Sequence, residues 1–271
     1  MLQRIDIDGK GVIGAPVLRA PGADGHKHDR GHVAVLSGPV LATGAARLSA
    51  MAALTTGAGL VTVYGPREAL HEHAAHLTSV MLAEEATLLA GEGRRVDAVV
   101  IGPGHGGGEH TRELVLALLR RACPIVLDAD ALTAFEHQPD MLFDHCHDRA
   151  VLTPHAGEFA RLFGEEVDAA MAADRCRGTV LLKGPVTHIA APDGRSARNT
   201  HASPWLATAG SGDVLAGMIA AFLAQGADPF EAACAAAWLH GDVGRRGAAG
   251  LTAERMIGII PAALVACMAD D

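Results

Sequence analysis

Aromatic side chains are scarce in this 271-residue sequence, at 3% of all residues with a single tyrosine. Hydrophobic residues nevertheless make up 49% and charged residues only 20%, so Ala, Val, Leu and Ile must fill a large core. That filling is typical of parallel strands that are covered by helices on both faces. No Pro/Ser-rich linker or low-complexity run divides the sequence, so we expect one domain spanning residues 1–271.

Clusters of basic residues are also missing. The formal net charge is −9, and no stretch is rich in lysine or arginine. This balance argues against nucleic acid and anionic membranes as main partners. A small phosphorylated ligand remains possible in physical terms, because backbone amides can bind anions without a basic surface.

Neither a disulfide framework nor a membrane segment is indicated. The cysteines are odd in number and show no CxxC spacing, which fits a reducing compartment. No apolar run is long enough to cross a bilayer, and the N-terminus lacks the apolar core of a signal peptide, so we expect a cytoplasmic protein. The five cysteines are Cys123, Cys146, Cys176, Cys234 and Cys267.

Short β-branched runs alternate with Ala/Leu-rich stretches along most of the sequence. This alternation predicts βαβ units and a mainly parallel sheet, with helices on both faces because crossovers have one hand. A hairpin is predicted around Pro192-Asp193-Gly194, and three further helices follow it. The predicted strands are 32–36, 60–64, 97–101, 125–128, 151–153, 179–183, 187–191 and 196–200, and the predicted helices are 43–56, 111–121, 156–163, 168–177, 213–224, 229–245 and 252–268.

Small, polar or ionisable residues end the predicted parallel strands. Ligands of such sheets bind beyond the carboxyl ends of the strands, so we expect the functional site there. The strand-end residues are Ser37-Gly38, Gly102-Pro103-Gly104, Asp128-Ala129-Asp130, Thr153-Pro154-His155 and Lys183-Gly184.

The sharpest local signal is the glycine-rich segment 207–217, Ala-Thr-Ala-Gly-Ser-Gly-Asp-Val-Leu-Ala-Gly. Gly210 and Gly212, on either side of Ser211, allow positive φ and a close approach of backbone to ligand. A helix is predicted to begin there, and its unpaired first amides favour a phosphate or oxyanion. Asp213 in the first turn is then either a helix-capping carboxylate or a base beside the bound phosphate.

This segment resembles the anion-hole motif of ribokinase-like enzymes, and further segments narrow the resemblance. Taken in order, they look like the motifs of ADP-dependent NAD(P)H-hydrate dehydratases, from about residue 27 to about residue 245. The resemblance implies an α/β fold of three layers, α/β/α, around a mainly parallel central sheet. The segments are Lys27-His28-Asp29-Arg30-Gly31-His32, Thr43-Gly44-Ala45-Ala46, Gly57-Ala58-Gly59-Leu60-Val61, Ile101-Gly102-Pro103-Gly104, Leu127-Asp128-Ala129-Asp130-Ala131-Leu132, Thr153-Pro154-His155-Ala156-Gly157-Glu158 and Leu182-Lys183-Gly184.

The resemblance implies an enzyme that repairs hydrated NAD(P)H. Such enzymes remove the hydroxyl of (S)-NAD(P)H hydrate at the expense of ADP, giving AMP and phosphate; eukaryotic relatives use ATP. Phosphorylation converts hydroxide, a poor leaving group, into a good one. The family also implies Mg²⁺ on the nucleotide phosphates and a homotetramer. No fused epimerase domain is expected in this chain, so repair of the R epimer would need a separate epimerase.

Residue roles carry over from the resemblance by position. Asp213 matches the catalytic residue placed against the hydroxyl of the hydrate, while no metal ligand can be assigned. Three positions depart from the family pattern, namely Ala209 (often glycine), Thr133 (often asparagine) and His28 (often aromatic). The hydrate contacts are matched by Ala45, Gly104 and His155, and the nucleotide contacts by Lys183, Gly184, Pro185, Val186, Thr187 and Gly212, with Gly210 and Ser211 added by the amide argument.

Other functions compete with this interpretation. The segment 102–107 matches GxGxxG, and Asp128 follows 21 residues after Gly107, as in a Rossmann-type redox enzyme. Two predicted βα units precede the segment and Pro103 lies inside its turn, which argues against a Rossmann fold. A ribokinase-like kinase acting on an alcohol with ATP would use Asp213 and the same turn, but no sugar-specific pattern accompanies them. A module that only binds would have no need of Asp213.

Several polar residues also have simpler structural interpretations. The histidine groups lack HExxH or zinc-finger spacing, so we predict exposed polar residues and no metal site. Asp128 and Asp130 could form a catalytic pair, although structural support is the better prediction. Lys183 is either a solvated lysine or a phosphate contact, and His155 either bonds to backbone or contacts substrate, which we favour. The histidine groups are His26, His28 and His32, and His71, His73 and His76.

Overall fold

A computed structural model of the chain describes residues 2–20, 22 and 24–269. In these residues, nine strands form one central sheet and two more form a separate antiparallel ribbon. The strands are β1 (Leu2–Ile7), β2 (Ile13–Leu18), β3 (His32–Leu36), β4 (Leu60–Gly65), β5 (Met81–Glu84), β6 (Ala98–Ile101), β7 (Ile125–Leu127), β8 (Ala150–Leu152), β9 (Thr179–Leu182), β10 (Thr187–Ala190) and β11 (Ser196–Asn199). The α-helices are α1 (Thr43–Thr55), α2 (Arg67–His76), α3 (Glu85–Leu89), α4 (Glu109–Leu119), α5 (Asp130–Thr133), α6 (Pro139–Phe143), α7 (Ala156–Phe163), α8 (Ala169–Cys176), α9 (Ser211–Ala224), α10 (Pro229–Gly247) and α11 (Ala253–Val265).

The central sheet has the strand order β11-β10-β9-β8-β7-β6-β3-β4-β5. Strands β3 to β9 pair in parallel, whereas β10 and β11 are antiparallel and form the predicted hairpin at one edge. Gly194 in the hairpin turn has φ +90°, a conformation that favours glycine. The prediction of a mainly parallel sheet is confirmed.

Helices cover the sheet on both faces, and alternate residues of each strand enter different cores. Val33 and Val35 of β3 pack with α1, α9, α10 and α11, whereas Ala34 and Leu36 pack with α4 to α8 on the opposite face. Successive side chains of a strand point to opposite faces, so a strand buried on both sides must be apolar throughout. The short uninterrupted apolar runs of the sequence have this physical origin.

No prediction covers β1, β2, β5 or α2. β1 carries Arg4 and Asp6 and is exposed along much of its length, and the sequence of α2 is mostly polar. β5 has four residues at the edge of the sheet, too few to show a period. The pattern of apolar residues therefore gives little signal for these elements.

The prediction that the grouped histidines are exposed is wrong for two of them. His32 is 3% exposed and bonds through Nδ1 to Arg95 O (2.9 Å) and through Nε2 to Thr62 Oγ1 (2.7 Å). His73 is fully buried, with Nε2 at 2.8 Å from Ser37 Oγ. Both ring nitrogens of His32 are bonded, so this neutral imidazole is buried at little cost, whereas Nδ1 of His73 has no partner among the described residues.

In the described part of the chain, no helix combines the length and the apolar character that a membrane span requires.

Helices α1 and α9 approach so closely that one contact requires glycine. A β-carbon on Gly217 of α9 would lie 2.1 Å from Ser49 O of α1 and 3.0 Å from the β-carbon of Ala52. At the start of α9, Ser49 Oγ donates a hydrogen bond to Asp213 O (2.9 Å). The first turn of α9 is therefore held at a fixed place above the sheet.

Gly217→Ala should destabilise the protein, because the added methyl group must push α1 and α9 apart. We expect the free energy of unfolding to fall by about 2 kcal/mol, as for overpacked cores, when it is measured by urea denaturation. Gly258→Ala in α11 is the matched control, because nothing lies within 4 Å of its β-carbon position. That exposed change should stabilise by about 0.5 kcal/mol through helix propensity. Equal effects of the two substitutions would contradict the close approach.

Candidate active site

The glycine-rich segment forms a turn that leads directly into α9. Gly210 has φ +83°, α9 begins at Ser211, and Asp213 lies in its first turn. The Ser211 amide donates to Thr208 O (3.3 Å), while no backbone acceptor among the described residues takes the amides of Gly212 and Asp213. Two orphan donors at the positive end of a helix dipole form an anion site. Ala209 has no positive φ, so the alanine at this position fits the turn.

Asp213 does not cap its helix, so the capping interpretation is wrong. No described residue donates a hydrogen bond to its carboxylate, and α9 has no side-chain cap. Burial raises the pKa of Asp213 to about 6, the nearby Asp128 and Asp130 carboxylates raise this pKa as well, and Lys183 opposes them. A carboxylate with a pKa in this range can take and release a proton near neutral pH.

Lys183 and Asp128 form a buried ion pair beside Asp213. Lys183 Nζ lies 2.7 Å from Asp128 Oδ1, which also accepts a hydrogen bond from Thr153 Oγ1 (2.8 Å). The interpretation of Lys183 as a solvated lysine is therefore wrong. The expected supporting role of Asp128 is to pair with Lys183 and to accept the hydrogen bond from Thr153. A β-carbon on Gly212 would lie 3.4 Å from Lys183 Nζ and 3.7 Å from Asp128 Oδ2. The ion pair thus faces the orphan amides across the space that glycine leaves open.

A cavity of about 770 Å³ opens in front of this turn. It brings together His155 with six of the residues predicted to contact nucleotide, whereas Val186, Gly210 and Asp213 are not part of its lining. Sequence reasoning missed the loop that forms the other wall and His240 of α10. The predicted residues in the lining are His155, Lys183, Gly184, Pro185, Thr187, Ser211 and Gly212, and the others are Asn199, Ala202, Ser203, Pro204, Leu206, Ala207, Thr208, Leu215, Ala237 and His240.

His155 is predicted either to bond to backbone or to contact substrate, and its position allows both. Its Nδ1 accepts hydrogen bonds from the amides of Gly157 (3.0 Å) and Glu158 (3.2 Å), which caps α7. The exposed ring lines the cavity nevertheless. Because Nδ1 is the acceptor, Nε2 carries the proton in the neutral ring. Nε2 lies 3.4 Å from Glu158 Oε1, so it can donate to a ligand only by turning from that carboxylate.

Ala45 and Gly104 lie together on the α1 side of the turn. A β-carbon on Gly104 would be 3.3 Å from the Ala45 β-carbon and 2.7 Å from Ala42 O. Ala45 precedes Ser49, the partner of Asp213 O, by one helical turn on the same face of α1. Neither residue lines the 770 Å³ cavity, so the structure does not bring these two predicted hydrate contacts together with His155 in one cavity. Behind Gly104, a hollow of about 440 Å³ is lined by Gly38 and His105.

The GxGxxG segment is explained by packing of the backbone. Gly102 has φ +124°, and a β-carbon there would lie 1.7 Å from Asp128 O. β6 lies in the interior of the sheet with β3, β4 and β5 on one side. The Asp128 carboxylate is engaged by Lys183. A ribose-binding acid would need a free carboxylate, so these contacts argue against the redox interpretation.

The residues that the structure describes supply no complete cage for a metal ion. Across residues 2–20, 22 and 24–269, no three His, Cys, Asp or Glu side chains gather closely enough to hold one. Mg²⁺ is usually bound by few protein ligands together with substrate phosphates. The donor set does not fit a resident metal, and Mg²⁺ is compatible with this site only as part of an incoming nucleotide.

Comparison with known proteins matches the chain to one family. The family described as NAD(P)H-hydrate dehydratase matches residues 33–264. The ADP-dependent (S)-NAD(P)H-hydrate dehydratase of Neisseria meningitidis serogroup B is 39% identical over 266 residues, which cover 91% of this chain and 88% of that protein. The bifunctional NAD(P)H-hydrate repair enzyme of Moorella thermoacetica is 39% identical over 266 residues, which cover 88% of this chain and 50% of that protein. The chain therefore spans about half the length of this bifunctional relative.

Solved structures show the same architecture. The ADP/ATP-dependent NAD(P)H-hydrate dehydratase of Bacillus subtilis, co-crystallised with ATP and Mg²⁺, has a TM-score of 0.80 at 28% identity and covers 93% of this chain and 95% of its own. A ribokinase-like superfamily protein of Enterococcus faecalis has a TM-score of 0.82 at 26% identity, with 93% of each chain covered. The expected three-layer ribokinase-like fold is confirmed.

Asp213→Asn should stabilise the folded protein in a pH-dependent way. The pKa of Asp213 is raised from 3.8 to about 6 on folding, so ionisation costs stability progressively as the pH rises from about 4, and the full cost is present above about pH 6. We expect the variant to gain about 2 kcal/mol over the wild type at about pH 8, and the gain to shrink as the pH falls to about 4. Urea denaturation at both pH values measures this difference.

The exposed Asp174→Asn on α8 serves as the control and should change stability little at either pH. A loss of stability in Asp213→Asn at the higher pH would show that the carboxylate has a stabilising partner.

Proposed function

We propose that this chain, which belongs to the NAD(P)H-hydrate dehydratase family, is a lyase that dehydrates (S)-NAD(P)H hydrate to NAD(P)H. ADP is consumed in the reaction and gives AMP and phosphate. The observation that carries the proposal is the uncapped, partly buried Asp213 beside the orphan amides of α9. An anion site next to an unpaired base is what phosphoryl transfer to a hydroxyl requires.

The nucleotide occupies the 770 Å³ cavity with its phosphates at the start of α9. The amides of Gly212 and Asp213 donate to the phosphate under attack, and Lys183, already close to Gly212, contributes positive charge. Gly184, Pro185 and Thr187, which follow Lys183, line the same cavity. Mg²⁺ bound together with the nucleotide would neutralise phosphate charge.

The hydrate approaches from the side of Ala45 and Gly104. Asp213 removes the proton of the C6 hydroxyl, whose oxygen attacks the β-phosphorus of ADP while the bond to AMP breaks. The lone pair of the ring nitrogen then expels phosphate from C6, and loss of a proton from C5 restores the dihydropyridine ring. The protonated Asp213 returns its proton to solvent before the next cycle. His155 donates to the hydrate through Nε2, and the hollow behind Gly104 gives room for the rest of the dinucleotide.

A kinase that phosphorylates an alcohol with ATP would share the first of these steps. The matched family and the relatives named above are dehydratases, and no contact in the described residues favours a kinase. The kinase interpretation is therefore less well supported. It differs from the dehydratase in its product, which would be a stable phosphate ester.

We also propose a single domain over residues 1–271, a cytoplasmic location and a homotetramer, with an epimerase as functional partner. Leu41 is 98% exposed and Val40 41% exposed, close to the first turn of α1. Exposed apolar side chains in such a position support a contact between subunits.

Hydrated NADH mixed with the protein, Mg²⁺ and ADP should regain the absorbance of the dihydronicotinamide ring. Asp213→Asn should lower kcat at least about a hundredfold, as expected for loss of a general base, while the Kd for ADP stays unchanged. In the wild type, kcat/KM should fall as the pH drops through about 6, because Asp213 becomes protonated. Formation of a stable phosphate ester from an alcohol with ATP, without dehydration, would favour the kinase instead.

His155→Ala should raise the KM for the hydrate about tenfold with a smaller effect on kcat, because one hydrogen bond to substrate is lost. Steady-state kinetics with varied hydrate concentration measures this split. His137→Ala, whose side chain is 90% exposed, is the control and should behave like the wild type. A large loss of kcat at constant KM in His155→Ala would contradict a binding role.

A further inference from the structure

His240 of α10 is bonded to the first residue of α9. Its Nε2 lies 3.0 Å from both Ser211 Oγ and Ser211 O. The two residues are 8% and 5% exposed, and both line the nucleotide cavity. Neither the sequence motifs nor the proposed reaction assigns a role to His240.

The backbone carbonyl determines the tautomer of His240. A carbonyl oxygen can only accept, so a lone pair on Nε2 at this distance from Ser211 O would be repelled. Nε2 therefore carries the hydrogen, which it donates to Ser211 O and shares with Ser211 Oγ. Burial lowers the pKa of His240 to about 4; the hydrogen bond to Ser211 O opposes this shift and the nearby Lys183 contributes to it, so the ring is neutral above that pH.

This tautomer fixes the role of the Ser211 hydroxyl. Since Oγ accepts from His240, its own proton is free, and no other described residue accepts that proton. Ser211 lines the cavity at the start of α9, beside the orphan amide of Gly212. The free O–H can thus donate to the same anion as the amides.

The position of His240 is itself held by close contacts. A β-carbon on the next residue, Gly241, would lie 2.1 Å from His201 O, so α10 lies directly against this loop. One turn earlier in α10, Ala237 O accepts a hydrogen bond from Asn199 Nδ2 (2.8 Å). These contacts hold α10, and with it the imidazole of His240, close to Ser211.

We propose that His240 is a positioning residue that directs the Ser211 hydroxyl to a phosphate of the bound nucleoside diphosphate. This inference rests on the proposed function, in which the cavity binds ADP. His240 touches the serine, and the serine touches the phosphate. The pair adds a side-chain donor to an anion site that otherwise consists of backbone amides and Lys183.

Calorimetric titration of the full chain with ADP and with adenosine tests this pair, because only ADP carries the phosphates. Ser211→Ala and His240→Leu should each weaken ADP binding about tenfold, the range for a hydrogen bond to a charged group. Adenosine binding should stay within about twofold of the wild type, because the rest of the cavity is unchanged. The double variant should be no weaker than either single variant, since both remove one interaction.

His240→Gln is the conservative variant, because its amide N–H can replace Nε2–H, and it should restore ADP binding close to the wild type. This variant and Ser211→Ala decide the question if His240→Leu does not fold. His32→Leu is the matched control at the amino end of β3, where a buried histidine also bonds to a hydroxyl and a carbonyl. It should lower the melting temperature but leave the Kd for ADP unchanged.

Wild-type affinity for ADP in Ser211→Ala would overturn the proposal. Equal weakening of adenosine and ADP in His240→Leu or His240→Gln would overturn it as well, because the histidine would then only shape the cavity. Failure of the wild type itself to bind ADP would instead refute the proposed function.

Discussion

Placing the Asp213 carboxylate in a partly buried site without a hydrogen-bond donor costs free energy, and the neighbouring charges determine how large that cost is. Asp128 and Asp130 add repulsion, whereas Lys183 supplies the opposing charge, and the result is a pKa near 6. A donor to Asp213 would stabilise the fold but lower this pKa and occupy the lone pairs that take a proton. The missing hydrogen bond is therefore a requirement of the proposed chemistry, and the packing of α9 must hold the residue in place.

Much of that packing depends on the absence of side chains. Gly217 lets α1 contact the backbone of α9, Gly102 lets the β6 turn reach Asp128 O, and Gly212 leaves space beside the Lys183–Asp128 pair. At Gly217 and Gly102 main chain meets main chain at distances that a β-carbon would block, whereas a β-carbon on Gly212 would only touch the ion pair. The glycines near the site therefore set distances between elements, and flexibility is not needed to explain them.

The sequence predicted those parts of the fold in which burial alone determines the pattern. Strands buried on both faces, such as β3, have continuous apolar runs, and amphipathic helices such as α7 have clear periods and caps. Partly exposed elements such as β1 and α2 have weaker patterns and were not predicted. In the site, motifs placed Asp213 and Lys183 near each other, but the buried partners Asp128 and His240 could not be paired from sequence, because their contacts join distant segments. A polar histidine within the apolar stretch of α10 was the one signal that could have identified His240.

In the proposed reaction, groups of the protein carry out the first step and the substrate's own ring drives the second. The protein's groups serve the transfer of a phosphoryl group to oxygen, for which it has an anion site, a base and a neighbouring cation. Loss of phosphate afterwards is driven by the nitrogen of the hydrate ring and needs no further catalytic group. A dehydratase and a kinase on this scaffold would therefore differ chiefly in the wall that receives the alcohol. In the proposed reaction Ala45 and Gly104 would make that wall from a methyl group and bare backbone, which suits the flat face of a ring better than a sugar rich in hydroxyls. Selection of the acceptor, more than the catalytic groups, then decides whether phosphorylation ends in a stable ester or in loss of water.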